Sequence, residues 1–233
     1  VETTEPLLIY QAASKCARVY FQYRDLDVWN DSMSNIYAFP YWVGVKKNHK
    51  PGPRTKALRV YLGGYYGPIG GGNSARYCDV TVRTHEAGLW WWGFSSTYEY
   101  NRKVYHHGSS SPKPDKGPMK NYVQARYIDF VLWLIKQPFF SIDPEAVHTF
   151  GGSMGGIGSL QMLMDYPDVF AWGQACVPPT NALEVKWQWL RNCESKWGDA
   201  KNDSLKVDFS GHNAEILRKR FGGMTVHEFL NLE

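Results

Sequence analysis

The hexapeptide Gly151-Gly152-Ser153-Met154-Gly155-Gly156 constrains this chain more than any other segment, because its two flanks demand different backbones. Ala146-Val147-His148-Thr149-Phe150 before it reads as a short buried strand, introduced by the turn-forming Ser141-Ile142-Asp143-Pro144-Glu145. Ile157, Leu160, Met162, Leu163 and Met164 after it form a mostly apolar helical run that ends near Tyr166-Pro167. A strand must therefore turn into a helix within a few residues, at a G-x-S-x-G pattern. Such a turn crowds the positions two before and two after the serine, and glycine at 151 and 155 relieves the crowding. A hydroxyl held there, clear of its own backbone and near N–H donors, is placed for nucleophilic attack. The competing reading is a glycine-rich turn in which Ser153 only caps the helix, and both flanks weigh against it.

The rest of the chain continues the alternation. Residues 17 to 28 and 36 to 47 read as strands rich in aromatic and branched residues, with Pro40 favouring an edge or a bulge. Lys50-Pro51-Gly52-Pro53 separates them from a third strand, Ala57-Leu58-Arg59-Val60-Tyr61-Leu62, and Leu89-Trp90-Trp91-Trp92-Gly93-Phe94 is the fourth candidate. A Ser/Pro/Lys/Gly-rich loop over 106 to 118 precedes a helix that Asn121 can cap, with Val123, Tyr127, Phe130, Val131, Leu134 and Ile135 on one face and Pro138 at its end. The elbow strand, its helix, and a strand over Val169 to Val177 follow. This order predicts an α/β fold with a mostly parallel sheet flanked by helices, and puts Ser153 at the carboxyl edge of the sheet, where ligands bind in open α/β folds.

The run from Ile142 to Gly156 resembles the elbow of α/β-hydrolase esterases and of the related prolyl-oligopeptidase-type peptidases. Their pattern D-P-x-R-V-x-x-x-G-x-S-M-G-G is followed by a helix and Y-P-D-x-F-A, and here Asp165-Tyr166-Pro167-Asp168-Val169-Phe170-Ala171 continues the match. The likeness is specific over 121 to 178, weaker over 56 to 100 and absent elsewhere. It implies a serine hydrolase, foremost a carboxylic-ester hydrolase working through an acyl-enzyme on Ser153, with no cofactor. A serine peptidase of the same fold is the alternative, and a non-catalytic binding protein on a hydrolase scaffold is the alternative of another class. The resemblance also implies an oxyanion hole from the backbone N–H groups of Met154 and Tyr65. The latter belongs to Leu62-Gly63-Gly64-Tyr65-Tyr66-Gly67, which is similar to the family's L-H-G-x-x-G with Gly63 where histidine is common. A flexible turn shared with Gly70-Gly71-Gly72 remains the other reading of these glycines.

In that family an acid and then a histidine follow the serine, each at the end of a later strand. Past Cys176-Val177-Pro178-Pro179, however, the chain turns to Trp187, Trp189, Cys193, Trp197 and many charges, which reads as a helical cap after the sixth strand. Thr225 and Glu228 have capping-box spacing, which makes His227 a first-turn helix residue. Leu205-Lys206-Val207-Asp208-Phe209 alternates like a short strand, so Asp208 with His227 is the weaker internal acid and base, and His212 follows Asp208 too closely to lie on a separate strand end. The expected organisation is a core over 1–178, a cap over 179–233, and further core strands with the acid and histidine beyond 233, supplied by a C-terminal fragment or second chain. The preference for ester over amide rests on the lack of a recognisable propeller domain.

Other chemistries find less support. The formal charge of +4 is spread out, and no basic cluster with interleaved aromatics argues for nucleic acid. No apolar run spans a membrane and no signal-peptide pattern opens the chain, while the start at Val1 reads as a processed or trimmed product. Cys16, Cys78, Cys176 and Cys193 form no C-x-x-C pair and read as buried thiols, or as one or two disulfides in an exported protein. Asn30-Asp31-Ser32 and Asn202-Asp203-Ser204 match the glycosylation pattern, and a secreted or periplasmic location is favoured over a cytoplasmic one. His106-His107 lacks carboxylates at ligand spacing, so no metal is expected. His49 and His85 read as surface residues and His148 as a core side chain. Aromatic residues are 15% of the chain, and Trp187, Trp189 and Trp197 suit either an aryl, acyl or sugar substrate or plain core packing.

Overall fold

The computed structural model describes residues 5–25, 36–64, 78–84, 90–98, 113–178, 180–181, 187–202 and 204–231. The chain opens with antiparallel strands: β1 (Leu7–Gln11), β2 (Ala17–Asp25) and β3 (Ile36–Val45) pair in sequence. β2 alternates half-buried and buried residues, as a strand covered on one face should. Pro40 sits opposite Phe21, on the stretch of β3 that lies outside its pairing with the next strand, so its missing N–H breaks no ladder.

Two parallel strands follow, β4 (Lys56–Leu62) and β5 (Val80–Thr84). β5 takes the place expected for the strand over 89–94, and its Val-Thr-Val-Arg-Thr sequence explains this, being mostly β-branched. Trp90 and Trp91 instead turn with φ of 53° and 63°, and with Trp92 they are buried. Only the two-residue β6 (Phe94–Ser95) remains extended there, paired with β7 (Met119–Lys120).

α1 (Tyr122–Lys136) buries Val123, Tyr127, Phe130, Val131 and Leu134 against the sheet, with Phe130 stacked on Tyr41 at 3.8 Å. Arg24 of β2 reaches Asp129 of α1 at 2.7 Å, fixing the helix to the antiparallel half. Asn121 holds the N-cap position but makes no side-chain cap bond. Its amide accepts from Ser210 N–H at 2.8 Å and donates to Tyr166 Oη at 3.1 Å, a long-range clamp that competes with capping.

β8 (Ile142–Gly152) pairs parallel to β4, α2 (Met154–Asp165) follows, and β9 (Trp172–Cys176) pairs parallel to β8. The seven strands run in the order β1-β2-β3-β5-β4-β8-β9. The sheet is therefore mixed, with its parallel part confined to the half that holds Ser153.

The closing segment holds α3 (Trp187–Trp197), β10 (Val207–Asp208), α4 (Ala214–Phe221) and α5 (Val226–Phe229). β10 pairs parallel to β7 and completes a second, three-stranded sheet. Val207, Phe209, Leu217, Val226 and Leu230 are all buried, and Trp92 meets Phe209 and Phe229 edge-on or tilted at 6.4 and 5.4 Å. From Leu205 onward, then, this segment shares its apolar core with α1 and the tryptophan turn.

Candidate active site

β8 ends at Gly152 and α2 begins at Met154, so Ser153 makes the turn between them. Its φ of 54° and ψ of −121° are a pair that residues with a side chain rarely adopt. Strain of this kind costs on the order of 1–3 kcal/mol and persists only where surrounding structure enforces it. Here the enforcement is visible. Ser153 N–H donates to the Cys176 carbonyl at 2.9 Å, and its own carbonyl accepts from Gly156 at 2.8 Å and Ile157 at 3.3 Å. The residue is exposed, and its side chain makes no cap bond to α2. Helix capping is therefore not what the serine does.

The flanking glycines are required by contact. A Cβ on Gly151 would run into the Gly155 carbonyl, and one on Gly155 would run into the Leu62 carbonyl and come within 2.8 Å of Gly63 O. The elbow is thus pressed against the exit of β4, the segment expected to furnish an oxyanion donor. Trp91 secures the same junction: its indole N–H donates to Gly63 O at 2.8 Å, and the side chain lies so close to Gly158 of α2 that a Cβ there would meet it at 2.5 Å. Tyr127 of α1 steadies the strand ends from behind, donating to Tyr61 O and Val82 O at 3.2 and 3.0 Å. Sequence reasoning missed Trp91 because a run of three tryptophans carries strand propensity, and nothing local marks a left-handed turn.

Met154 is buried and opens α2, so its N–H is among the first four of the helix, which have no acceptor within it. The positive end of the helix dipole adds to the pull on a negative oxygen there. Tyr65, the other expected donor, lies outside the described residues, as do Gly70, Gly71 and Gly72.

The internal acid and base are not brought together. Asp208 Oδ1 accepts from Arg218 Nε and from Phe209 N–H, both at 2.9 Å, so its carboxylate is occupied by a cation on α4. His227 is 2% exposed in the first turn of α5, behind the reciprocal Thr225–Glu228 capping box, with its ring set edge-on to Trp197 at 6.4 Å. Neither ring nitrogen of His227 has a partner among the described residues. His212 pairs with Asp168 at 2.6 Å, and Asn213 donates to the same carboxylate at 2.8 Å. Burial opposes ionisation of Asp168, yet these two hydrogen bonds hold it below the usual carboxylate range. That pair lies beyond the C-terminal end of α2, whose 12 residues span about 18 Å, so it stands a helix length from Ser153.

His148 and His49 are held in structural contacts. His148 is buried, stacks on Trp172 at 4.2 Å and accepts from Arg59 at 3.3 Å; burial first and the Arg59 charge second lower it to about 4. His49 bonds the Phe139 carbonyl at 2.7 Å. His85, His106 and His107 lie outside the described residues. Among the described residues no cluster of three or more His, Cys, Asp or Glu side chains could hold a metal, and no helix is long and apolar enough to cross a membrane. All four cysteines are free thiols, Cys176 exposed and Cys16 half-buried, which sets aside both the disulfides and the expectation of uniform burial.

A strained, exposed serine thus sits between a parallel strand and its helix, beside the exit of the neighbouring strand β4. Residues 115–213, which contain Ser153, match the Prolyl oligopeptidase family. Among solved structures the chain is similar to an S-formylglutathione hydrolase from Agrobacterium tumefaciens, at 15% identity and a TM-score of 0.48 over 84% of this chain and 70% of that one. It is also similar to a post-proline cleaving enzyme from Rickettsia typhi, at 16% identity and 0.49 over 97% of this chain and 28% of that one. An acetyl xylan esterase from Aspergillus awamori gives 17% and 0.38 over 66% and 50%. The chain thus spans about a quarter to a half of the latter two. No curated protein matches it.

Proposed function

We propose that the chain carries the nucleophile of a carboxylic-ester hydrolase. The observation that carries this reading is the enforced backbone strain at Ser153, whose exposed hydroxyl is left free of helix capping. As Ser153 Oγ attacks the ester carbonyl its proton passes to the base, the O–C bond forms as the carbonyl electrons move to oxygen, and the N–H groups of Met154 and Tyr65 receive that oxyanion. Collapse breaks the bond to the alkoxide, which takes the proton from the base and leaves as the alcohol, and the acyl-enzyme is then hydrolysed by water. Esters are preferred to amides because an alkoxide or phenoxide leaves with less help from an acid than an amine does.

The acid and the base come from a segment or second chain that pairs with the free edge of β9. In support, β9 pairs only with β8 among the described residues, and it ends at Cys176, whose carbonyl holds Ser153. A strand added there would end beside the nucleophile, and Trp172 and Val177 along that edge are 49% and 83% exposed. The match to the Prolyl oligopeptidase family favours the peptidase as the second reading. Steady-state hydrolysis of matched aryl acetates and aryl anilides by the full-length protein separates the two. Faster ester turnover is expected. Anilide turnover of equal or greater efficiency would support the peptidase, and neither activity in a folded protein would leave a binding scaffold.

A further inference from the structure

Away from Ser153, the C-terminal half of α2 forms one wall of a half-open cavity of about 110 Å³, closed by the end of α4 and by α5. At about 30 Å³ per water this holds about three or four water-sized groups. Gln161 and Asp165 of α2 lie at its base, 2% and 5% exposed, while Phe221 and Phe229 supply ring faces and Glu228 stands exposed at the rim. The amide of Gln161 is the telling group. Both its nitrogen and its oxygen are buried without a hydrogen-bond partner among the described residues, a costly state that a donor entering the cavity relieves at the oxygen.

The surroundings select the sign and shape of the occupant. Among the described residues Asp165 accepts one bond, from Gln124 Nε2 at 2.9 Å, and no cation is paired with it. The cavity also lies at the negative end of the α2 dipole, which favours cations. Two aromatic rings meeting at 5.1 Å offer faces that attract a cation electrostatically. Arg220, whose charge acts on Asp165, donates to the Met164 carbonyl at 3.2 Å and lies 4.7 Å from the Phe221 ring centre without pairing with Asp165. Three acceptors, Asp165, Gln161 Oε1 and the second carboxylate oxygen of Glu228, whose Oε2 already accepts from Thr225 N–H and Oγ1, match the three N–H donors of a primary ammonium group.

We propose that this cavity is a binding site for a small primary alkylammonium ion, its N–H groups on Asp165, Gln161 and Glu228 and its short carbon chain between Phe221 and Phe229. The site is separate from Ser153 and does not depend on the reaction assigned there.

Calorimetric titration of the full-length chain with ethylammonium chloride at about pH 8.5, where Asp165, raised to about 7 by burial, is ionised and the ammonium keeps its proton, against sodium chloride at equal ionic strength, tests it. Saturable one-site binding is expected, weakened at least about 10-fold for tetramethylammonium, which has no N–H to donate. Asp165→Asn should weaken ethylammonium by a similar factor, and Gln161→Met, which keeps the side-chain size and removes the unpartnered amide, by about 5-fold. Absence of saturation, equal affinity for tetramethylammonium, or unchanged binding in a folded Gln161→Met protein would each overturn the proposal and leave a cavity that holds only water.

Discussion

The two ends of α2 have opposite designs. At its N-terminal end Ser153 is strained, exposed and without a side-chain cap bond, held by backbone contacts from β4, β9 and the Trp91 indole. At its C-terminal end Asp165 is buried and bonded to Gln124, Tyr166 is clamped by Asn121, and the following turn pairs Asp168 with His212. The polar side chains most easily mistaken for catalytic partners gather at the second end. A serine, an aspartate and a histidine in the order Ser153, Asp168, His212 satisfy a sequence rule, but a helix separates the pair from Ser153. Order along the chain is therefore a weak guide to a triad, and position along one helix is a strong one.

Removing the hydroxyl is the severest way to break the contrast. Ser153→Ala should lower ester turnover by on the order of 10³-fold or more, with unchanged thermal unfolding, because the side chain makes no cap bond to lose. Retained turnover, measured with an aryl acetate, would move the chemistry elsewhere.

The other end should answer in stability instead. Burial raises Asp165 from 3.8 to about 7, against smaller opposing effects of the Gln124 hydrogen bond and the Arg220 charge. The neighbouring polar groups come from α1 (Gln124), α4 (Arg220) and α5 (Glu228). Between those values the folded carboxyl keeps a proton that the unfolded one has released, so stability falls as pH rises from about 4 to about 7. Asp165→Asn should remove this fall, leaving the variant more stable above neutrality by up to ~4 kcal/mol, with little change in ester turnover. Denaturant unfolding across that range checks it, and parallel pH profiles for the two proteins would refute the buried carboxyl's role.

Trp91→Phe sharpens the comparison at the first end. It keeps an aromatic ring against Gly158 and removes the hydrogen bond to Gly63, so turnover should drop about 10-fold through kcat while stability changes by only about 1 kcal/mol. An equal loss in KM would indicate general loosening. The smallest effect is expected from His212→Ala: the Asp168 pair is partly exposed, so stability should change by at most about 1 kcal/mol and turnover hardly at all. A large loss of turnover would bring His212 back as the base.

What could be read from sequence was local. The strand, the elbow and α2 lie within one short run, and steric rules at Gly151 and Gly155 are properties of neighbouring residues and one adjacent strand. The capping box at Thr225 and Glu228 was legible for the same reason, and it rightly set His227 on a helix. Long-range choices were not legible. Asn121 has cap chemistry but binds Ser210 and Tyr166 instead, the valine and threonine run of β5 displaced the tryptophans from the sheet, and His212 met Asp168 instead of Asp208. In each case the residue type suited two partners equally, and tertiary packing selected between them.

The central claim is that the hydroxyl of Ser153 is the reactive group. Mass-spectrometric mapping of the full-length protein after reaction with a fluorophosphonate tests it directly. One adduct on the peptide carrying Ser153, absent from Ser153→Ala, is the result the elbow geometry predicts. An adduct on any other residue, or none in a folded protein, would contradict it.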